Sequence, residues 1–211
     1  MKDEASIGIR RFQLEDVSSL FSAARESMAQ LQLWTAWCGP DYSLGDSLDF
    51  VMSCDEDWQA GRKYNFVIYD RADGAFVGSI GLSEVNREHG FAKLGYWVRS
   101  SRAGQGVANA SIRLVSRFAF EELELNRLEL IIAKGNGASI RVAEEVGANR
   151  EGVLRDRILF KGRPEDAVMY SLVAEDRHRE LDSRAGEARN TFVPGDFAYE
   201  QKSAGCAFTV A

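Results

Sequence analysis

The sequence predicts an α+β fold, in which a mixed and mostly antiparallel sheet carries helices on both faces. Short apolar segments separated by turn residues recur along the chain, which is typical of strands joined by hairpins. Longer segments place apolar residues every three or four positions, which is typical of amphipathic helices. A strand, a helix and a strand follow one another in the second half, which favours a sheet covered by helices.

The first half of the chain contains two helices between strands. Strands are predicted at residues 7–12, 64–69, 75–82 and 91–98, and helices at residues 17–28 and 44–58. The segment Asp70-Arg71-Ala72-Asp73-Gly74 is a hairpin signal, because a glycine near the end of a short polar segment lets the chain reverse. The polar residues 84–90 predict a second turn.

The second half begins with a glycine-bearing loop and closes with a strand pair. A helix is predicted at residues 108–122 and a strand at 127–133. A second helix begins at Asn136 and Ser139 and ends at Val146 and Gly147. An antiparallel pair of strands follows at 150–159 and 167–173. The periodicity fades after Glu175. We therefore expect one domain at residues 1–175 and a loosely ordered C-terminal tail at residues 176–211.

The composition limits the classes of function. The 211 residues are 45% apolar and 27% charged, as in ordinary globular proteins, and the net charge of −6 disfavours nucleic-acid binding and favours a basic acceptor. The three cysteines, Cys38, Cys54 and Cys206, form no CxxC pair, which argues against a zinc site or a disulfide framework. The sequence shows neither a signal peptide nor an apolar run of membrane-spanning length, so we expect a cytoplasmic protein without a metal.

The segment that carries chemistry is a strand, a glycine loop and a helix start, from Tyr96 to Ala108. Glycines let backbone N–H groups approach a ligand, and a helix N-terminus adds free donors, so this segment suits a phosphate or pyrophosphate. It lacks the lysine of a P-loop, and the run Gly104-Gln105-Gly106-Val107-Ala108-Asn109 lacks the third glycine of a dinucleotide fingerprint. Taken alone, it is equally compatible with a plain turn into a helix.

A second block of residues follows the next strand and resolves this ambiguity. The strings Gly95-Tyr96-Trp97-Val98, Gly104-Gln105-Gly106-Val107-Ala108, Asn136-x-x-Ser139-Ile140-Arg141-Val142 and Glu151-Gly152 occur in order. Together they resemble the GNAT superfamily of acetyltransferases, and within it the branch of ribosomal-protein N-terminal acetyltransferases, over residues 7–173. This resemblance implies acetyl-CoA as co-substrate and a sheet that the cofactor splits into a V.

The resemblance also implies roles for individual residues. Backbone amides from Gly104 to Asn109, including Gln105, Val107 and Ala108, would hold the pyrophosphate. The strand edge at Trp97 and Val98 would bind the pantetheine arm, and the Val98 N–H would polarise the thioester carbonyl. Asn136 would bind pantetheine or position its thiol end. Ser139 would lie near the sulfur, where its hydroxyl serves catalysis or, alternatively, caps the helix together with Asn136.

The sequence departs from the family pattern at four positions. Ala103 stands where the glycine loop usually opens with Arg or Gln, which leaves Arg102 as a substitute pyrophosphate ligand. Ala143 stands where many members carry a Tyr general acid. Lys93 and Ile158 stand where some relatives carry a Glu. The general base therefore cannot be transferred from the family, and Glu84 and Asp156 remain the candidates.

Three functions are compatible with these residues. The first is an enzyme whose acceptor amine, a protein N-terminal α-amine, attacks the thioester directly. The second is an acetyltransferase for a small-molecule amine. The third is a non-catalytic sensor that binds acyl-CoA, which the missing Tyr and the unassigned base keep open. The resemblance is also compatible with a homodimer through a sheet edge, a common assembly in this superfamily, but the sequence does not determine the oligomeric state.

Overall fold

One mixed sheet organises residues 6–175, the part of the chain that this computed structural model describes. Its strands are β1 (Ile7–Arg11), β2 (Tyr64–Asp70), β3 (Phe76–Asn86), β4 (Phe91–Val98), β5 (Arg127–Ala133), β6 (Asn149–Phe160) and β7 (Arg163–Val173). The helices are α1 (Val17–Leu31), α2 (Leu44–Gln59), α3 (Val107–Glu121) and α4 (Gly137–Glu145). The strand order is β1-β2-β3-β4-β5-β7-β6, and among these strands only β4 and β5 pair in parallel. The predicted fold class is confirmed.

Two apolar cores cover the two faces of the sheet. Because successive side chains of a strand point to opposite faces, Phe66 and Ile68 of β2 join one core while Val67 joins the other. The first core contains the apolar stripe of α3 and residues of α4, and the second contains residues of α1 and α2. The strand β4 follows the same alternation, since Tyr96 and Val98 pack against the first core and Trp97 belongs to the second.

The sheet is split between β4 and β5. These strands pair only through Phe91–Lys93 of β4 and Arg127–Glu129 of β5. Beyond this point β4 stays paired with β3 up to Val98, and β5 stays paired with β7 up to Ala133. Each strand therefore keeps its outer partner while the two inner edges diverge. The expected V-shaped opening is present.

Some strands extend further than the sequence pattern predicts. Strand β3 continues to Asn86 through a bulge at Glu84, whose φ is +48°, so the predicted turn at 84–90 is confined to its second half. Strands β6 and β7 leave only Lys161 and Gly162 between them. Pairing with a neighbouring strand thus continues through residues whose polarity alone predicts a turn. The predicted tail at 176–211 lies outside the described residues, and the domain boundary at 175 stays a prediction.

Candidate active site

The glycine loop forms a cluster of backbone donors at the start of α3. Gly104 and Gly106 have φ values of +69° and +82°, and Gly106 is the N-cap of the helix. The left-handed conformation at Gly106 is one that glycine adopts without a steric cost. The N–H groups of residues 104–106 donate no hydrogen bond within the described chain, and those of residues 107–109 occupy the first turn of α3, where no helical partner exists. This cluster suits an anion such as a pyrophosphate.

The side chains around this loop are engaged elsewhere. The guanidinium of Arg102 lies 3.4 Å from Asp70 and 4.0 Å from Asp73, in the hairpin between β2 and β3. The Arg102 guanidinium thus has acidic neighbours, among them the buried Asp70, and its role as a substitute pyrophosphate ligand stays a prediction. Asn109 donates to Glu145 at 2.7 Å, and Gln105 donates to the Ser101 carbonyl. The exposed Ala103 adds no charge, so the predicted anion binding here would depend mainly on backbone N–H groups.

The inner edge of β4 presents unpaired backbone groups to the split. The Arg99 N–H donates to the Val77 carbonyl at 2.8 Å, on the β3 side. Because N–H groups of successive strand residues alternate in direction, the Val98 N–H points into the split. The strands β3 and β4 approach closely here, since a Cβ on Gly78 would lie 2.3 Å from the Trp97 carbonyl oxygen. The Trp97 ring is buried against Trp37, 5.9 Å between ring centroids, which fixes this end of β4.

The N-terminus of α4 follows β5, the strand on the other side of the split, after residues 134–136. Asn136 is buried and is the N-cap, and its side-chain oxygen accepts from the Ser139 N–H at 3.1 Å. The capping role considered for Ser139 is therefore wrong, because Asn136 alone fills it. The Ser139 hydroxyl remains half-buried and free of a capping bond at the third helical residue. The catalytic role of Ser139 stays a prediction.

A cleft of about 560 Å³ lies between the splayed strands. Its lining comes mainly from the loop after α1, from β2, from the centres of β3 and β4, from the end of β5 and from β6. It includes Trp34, Thr35, Trp37, Asn65, Ser79, Lys93, Tyr96, Trp97, Arg157 and Ile158. Among the described residues, the charged members of this lining are Lys93 and Arg157. The lining contains no carboxylate and no imidazole. Both charged side chains of the lining are therefore cations, of which Lys93 is paired with Glu84 outside the lining, while the whole chain carries a net charge of −6. The local charges and the net charge therefore differ in sign, and the expectation of a basic acceptor stays a prediction.

The structure keeps the candidate base Glu84 out of this cleft. Its side chain is 58% exposed and forms an ion pair with Lys93, whose side chain is 16% exposed and lines the cleft. Asp156 is also exposed, and neither carboxylate belongs to the lining. Ile158 does line the cleft, at the position where some relatives carry a Glu. The geometry thus assigns Glu84 as a counter-ion of Lys93, and its role as a base stays untested.

An ion pair connects α1 to the segment before the glycine loop. Glu26 accepts from the Arg99 guanidinium at 2.6 Å and from the Ser101 N–H at 3.1 Å. The hydrogen bond from Arg99, followed by that from Ser101, lowers the pKa of Glu26 to about 2. Ser100 is held on the same helix, because its N–H donates to Ser27 at 3.0 Å. Helix α1 therefore fixes the position of residues 99–101, from which the glycine loop continues.

Sequence reasoning missed three residues of the cleft. The Thr35 hydroxyl is buried without a hydrogen-bond partner in the described chain, Tyr96 has a similarly buried phenol oxygen, and Arg157 lies on β6. Tyr96 could have been found from the alternation of β4, which places it on the face opposite Trp97. Thr35 lies between Trp34 and Trp37, in a loop whose equivalent in this family shapes the acceptor pocket, whereas Arg157 carries no local signal because a distant segment brings it to the cleft.

Other classes of site do not arise within residues 6–175. No group of three or more His, Cys, Asp or Glu side chains there is arranged to hold a metal ion. Cys38 and Cys54 are free and buried, and burial raises the pKa of Cys54 to about 12, so its thiol is unreactive. None of the described helices combines the length and apolar character that a membrane span requires.

A split sheet with a backbone anion site at its mouth fits a long ligand with a pyrophosphate at one end, and coenzyme A is such a ligand. The fold and the site thus define a coenzyme A-dependent acetyltransferase. The chain belongs to the GNAT acetyltransferase family, because residues 6–149 match the family model described as Acetyltransferase (GNAT) domain. The resemblance seen in the sequence is confirmed.

Relatives within the family have different acceptors in their names. The chain is 39% identical over 101 residues to the Bacillus subtilis protein named "Putative ribosomal N-acetyltransferase YdaF". This matched region covers 48% of this chain and 55% of YdaF. It is 28% identical to the spermidine N(1)-acetyltransferase of Escherichia coli, covering 46% of this chain and 52% of that enzyme. The chain thus spans about half the length of these two relatives. A solved structure of Mycobacterium smegmatis RimJ with CoA-disulfide is 26% identical, with a TM-score of 0.76 and coverage of 84% and 88%.

Proposed function

We propose that this protein transfers an acetyl group from acetyl-CoA to the α-amine at the N-terminus of a protein or peptide. The observation that carries the proposal is the charge of the cleft. Lys93 and Arg157 line it, and no carboxylate does so among the described residues. A polyamine carries several ammonium groups, which such a lining would repel. An N-terminus carries one amine and is followed by a chain of any charge.

The missing general base points to the same class of acceptor. An amine must be neutral to attack a thioester. An α-amine has a pKa of about 7.7–8.0, whereas an alkyl amine such as lysine has a pKa of about 10.4. At pH 7.5 about a third of the α-amine is neutral, against about one in a thousand of the alkyl amine. A cleft without a carboxylate therefore suits an α-amine, and the positive charge of Lys93 would lower the pKa of a bound amine further.

The chain offers its own groups for each part of the transfer. The N–H groups of residues 104–109 would bind the pyrophosphate of acetyl-CoA, and the inner edge of β4 would bind its pantetheine arm. The Val98 N–H would donate to the thioester oxygen as negative charge develops there during attack. Trp34, Thr35 and Trp37 would surround the acceptor, with the Thr35 hydroxyl available to its amine. This arrangement supports direct attack by the amine.

A panel of acceptors tests the proposal. Peptides with free N-termini, spermidine and free amino acids are incubated with acetyl-CoA, and thiol release and the acetylated products are measured. A peptide with a blocked N-terminus and an internal lysine is the matched control. We expect one acetyl group on the α-amine of the free peptides and none on the control. Turnover of spermidine alone would overturn the proposal of an N-terminal α-amine as acceptor. Absence of thiol release with every amine would favour a non-catalytic sensor that binds acyl-CoA.

A further inference from the structure

The hairpin of β6 and β7 contributes a bulge to the cleft. Where the ladder of these two strands shifts register, the three residues 155–157 of β6 face Asp166 alone. Asp156 has a φ of +50°, a left-handed conformation that Asp adopts more readily than most residues. Bulges are frequent next to functional sites, where they change the direction of a side chain. Here the bulge ends at Arg157, which lines the cleft.

Hydrogen bonds connect this bulge to the end of β5. The Asp166 carboxylate accepts from the Asp156 N–H at 3.3 Å and lies 3.3 Å from the Lys134 ammonium. The Lys134 N–H in turn donates to the Asp166 carbonyl at 3.0 Å. Lys134 directly follows β5, one of the two strands that diverge at the split. The bulge is therefore held against the split sheet, and the backbone of Arg157 is held with it.

The loop after α1 reaches the same part of the molecule. A Cβ on Gly135 would lie 3.6 Å from the Trp34 ring, so this ring packs on the residue that follows Lys134. The neighbouring Thr35 hydroxyl is buried, lines the cleft and has no hydrogen-bond partner among the described residues. Buried polar groups are nearly always hydrogen-bonded, so this exception indicates that a polar ligand completes the cleft.

Arg157 is the cation of the lining that has no partner. Within residues 6–175 its guanidinium forms no hydrogen bond and no ion pair, whereas Lys93 is paired with Glu84. No carboxylate belongs to the lining among these residues. A guanidinium presents its N–H donors in a planar fork that matches a carboxylate. A ligand carboxylate can therefore bind Arg157 without breaking an existing ion pair.

We propose that Arg157 determines acceptor specificity by binding an acidic side chain, Asp or Glu, in the first residues after the acceptor amine. This inference rests on the proposed transfer to a protein α-amine and specifies the sequence that follows that amine. The ion pair holds the acceptor before and during attack, so its effect falls on KM more than on kcat. The net charge of −6 predicts the opposite preference, a basic acceptor, and peptides of opposite charge decide between the two.

Peptides that differ in one charge test this inference. Otherwise neutral peptides carry a single Glu at one of the four positions after the N-terminal residue, and matched peptides carry Gln there. At one or more positions we expect kcat/KM to be ~5–10-fold higher for Glu, the effect of one exposed, charge-assisted pair. Arg157→Gln should remove this preference and change kcat/KM for the Gln peptides by less than about 2-fold. Equal kcat/KM for every pair in the unmodified protein would overturn the inference.

Two further variants separate a specific role of Arg157 from a general one. Arg155→Gln is the matched control, because Arg155 is an exposed cation of the same bulge that does not line the cleft. This variant should keep the preference for Glu, and an equal loss in both variants would contradict a role of Arg157 in particular. Arg157→Glu should invert the preference, so that Lys at the sensitive position becomes better than Glu by ~5–10-fold. A structural role would not produce this inversion.

Product peptides separate this inference from the proposed function. Acetylation of α-amines without a charge preference would refute the carboxylate site and leave the proposed function intact. If no peptide is acetylated, the proposed acceptor is refuted, and binding decides the inference. N-acetylated Glu and Gln peptides are then titrated by calorimetry into the protein with coenzyme A. Tighter binding of a Glu peptide that is lost in Arg157→Gln supports the carboxylate site, and equal binding overturns it.

Discussion

The two sides of the cleft are built from different parts of the chain. The proposed cofactor side would use backbone N–H groups from one continuous segment, the end of β4, the glycine loop and the start of α3. The proposed acceptor side would use side chains from the loop after α1 and from β3, β4 and β6. A backbone site depends on φ angles and strand direction, so few residue types are compatible with it. A side-chain site depends on residue identity, so it can change while the fold is kept. The following predictions test this difference.

The largest effect is expected for Gly106→Glu on the cofactor side. This change adds a negative charge to an anion site and places a side chain at a φ of +82°. We expect the affinity for acetyl-CoA to fall by at least ~100-fold, or about 2.7 kcal/mol, measured by calorimetry. Gly106→Asn is the control, because Asn tolerates the left-handed conformation without adding charge. A folded Gly106→Glu protein with normal affinity would remove the loop from the site.

Ser139→Ala and Asn136→Ala separate chemistry from helix capping. Asn136 makes the capping bond, so Asn136→Ala should lower the free energy of unfolding by about 1 kcal/mol. Ser139→Ala should lower kcat by ~10–100-fold while the melting temperature changes by no more than ~1–2 °C. Thermal unfolding and steady-state kinetics are measured on both variants. Normal turnover in Ser139→Ala would show that this hydroxyl takes no part in catalysis.

On the acceptor side, a smaller effect is expected from Lys93→Glu. Reversing this charge should reduce kcat/KM for an N-terminal peptide by ~10-fold, or about 1.4 kcal/mol, and raise it for spermidine. Lys93→Met separates loss of the positive charge from gain of the negative one. Glu84→Gln removes only the exposed counter-ion and should change kcat by less than about 3-fold. A ~100-fold loss in Glu84→Gln would instead identify Glu84 as the general base.

The fold and the strand, glycine loop and helix start of the proposed cofactor side were accessible to prediction because they depend on local patterns. The alternation of β4, the stripe of α3 and the string from Gly104 to Gly106 each occupy one short segment. The end of β3 and the start of β7 were harder, because β3 continues past the bulge at Glu84 and β7 begins in polar residues just after Gly162. The sequence alone could not show that Arg102 is bound to Asp70, since the two residues are 32 positions apart.

The acceptor side was largely inaccessible for the same reason. Thr35, Lys93 and Arg157 meet only because the loop after α1 and the strand β6 both reach the split. The net charge of −6 predicts a basic acceptor, whereas the local charges of the cleft are positive. The choice of acceptor therefore depends on side chains that only the folded chain brings together. The resemblance to the family covers the sheet and the glycine loop, which relatives with different acceptors share.

The smallest effect is expected for Glu26→Gln, which weakens the contact between α1 and the segment before the glycine loop. The pKa of Glu26 is lowered from 4.5 to about 2. Its ion pair therefore contributes fully to the free energy of unfolding above about pH 4.5, and this contribution is lost as the pH falls toward 2. The side chain is 31% exposed, so solvent screening limits the contribution to ~1 kcal/mol or less.

At pH 7.5 we expect Glu26→Gln to weaken acetyl-CoA binding by ~2–3-fold, and its stability to depend less on pH than that of the unmodified protein. Calorimetry and thermal unfolding between pH 3 and pH 7.5 provide the measurement. Asp46→Asn is the control, since the pKa of Asp46 is also lowered but by Ser43 at the start of α2. An equal weakening of acetyl-CoA binding in Asp46→Asn would show that the effect does not pass through α1.

The split between β4 and β5 also bears on aggregation. An exposed strand edge is a template on which a second chain can form new backbone hydrogen bonds. The inner edge of β4 is such an edge, yet it faces β5 of the same molecule and is anchored by the pairing at Phe91–Lys93. A second polypeptide would have to enter a wedge that is closed at one end, whereas a slender ligand can enter from the open end. The geometry therefore keeps an edge available for recognition while limiting strand exchange between molecules.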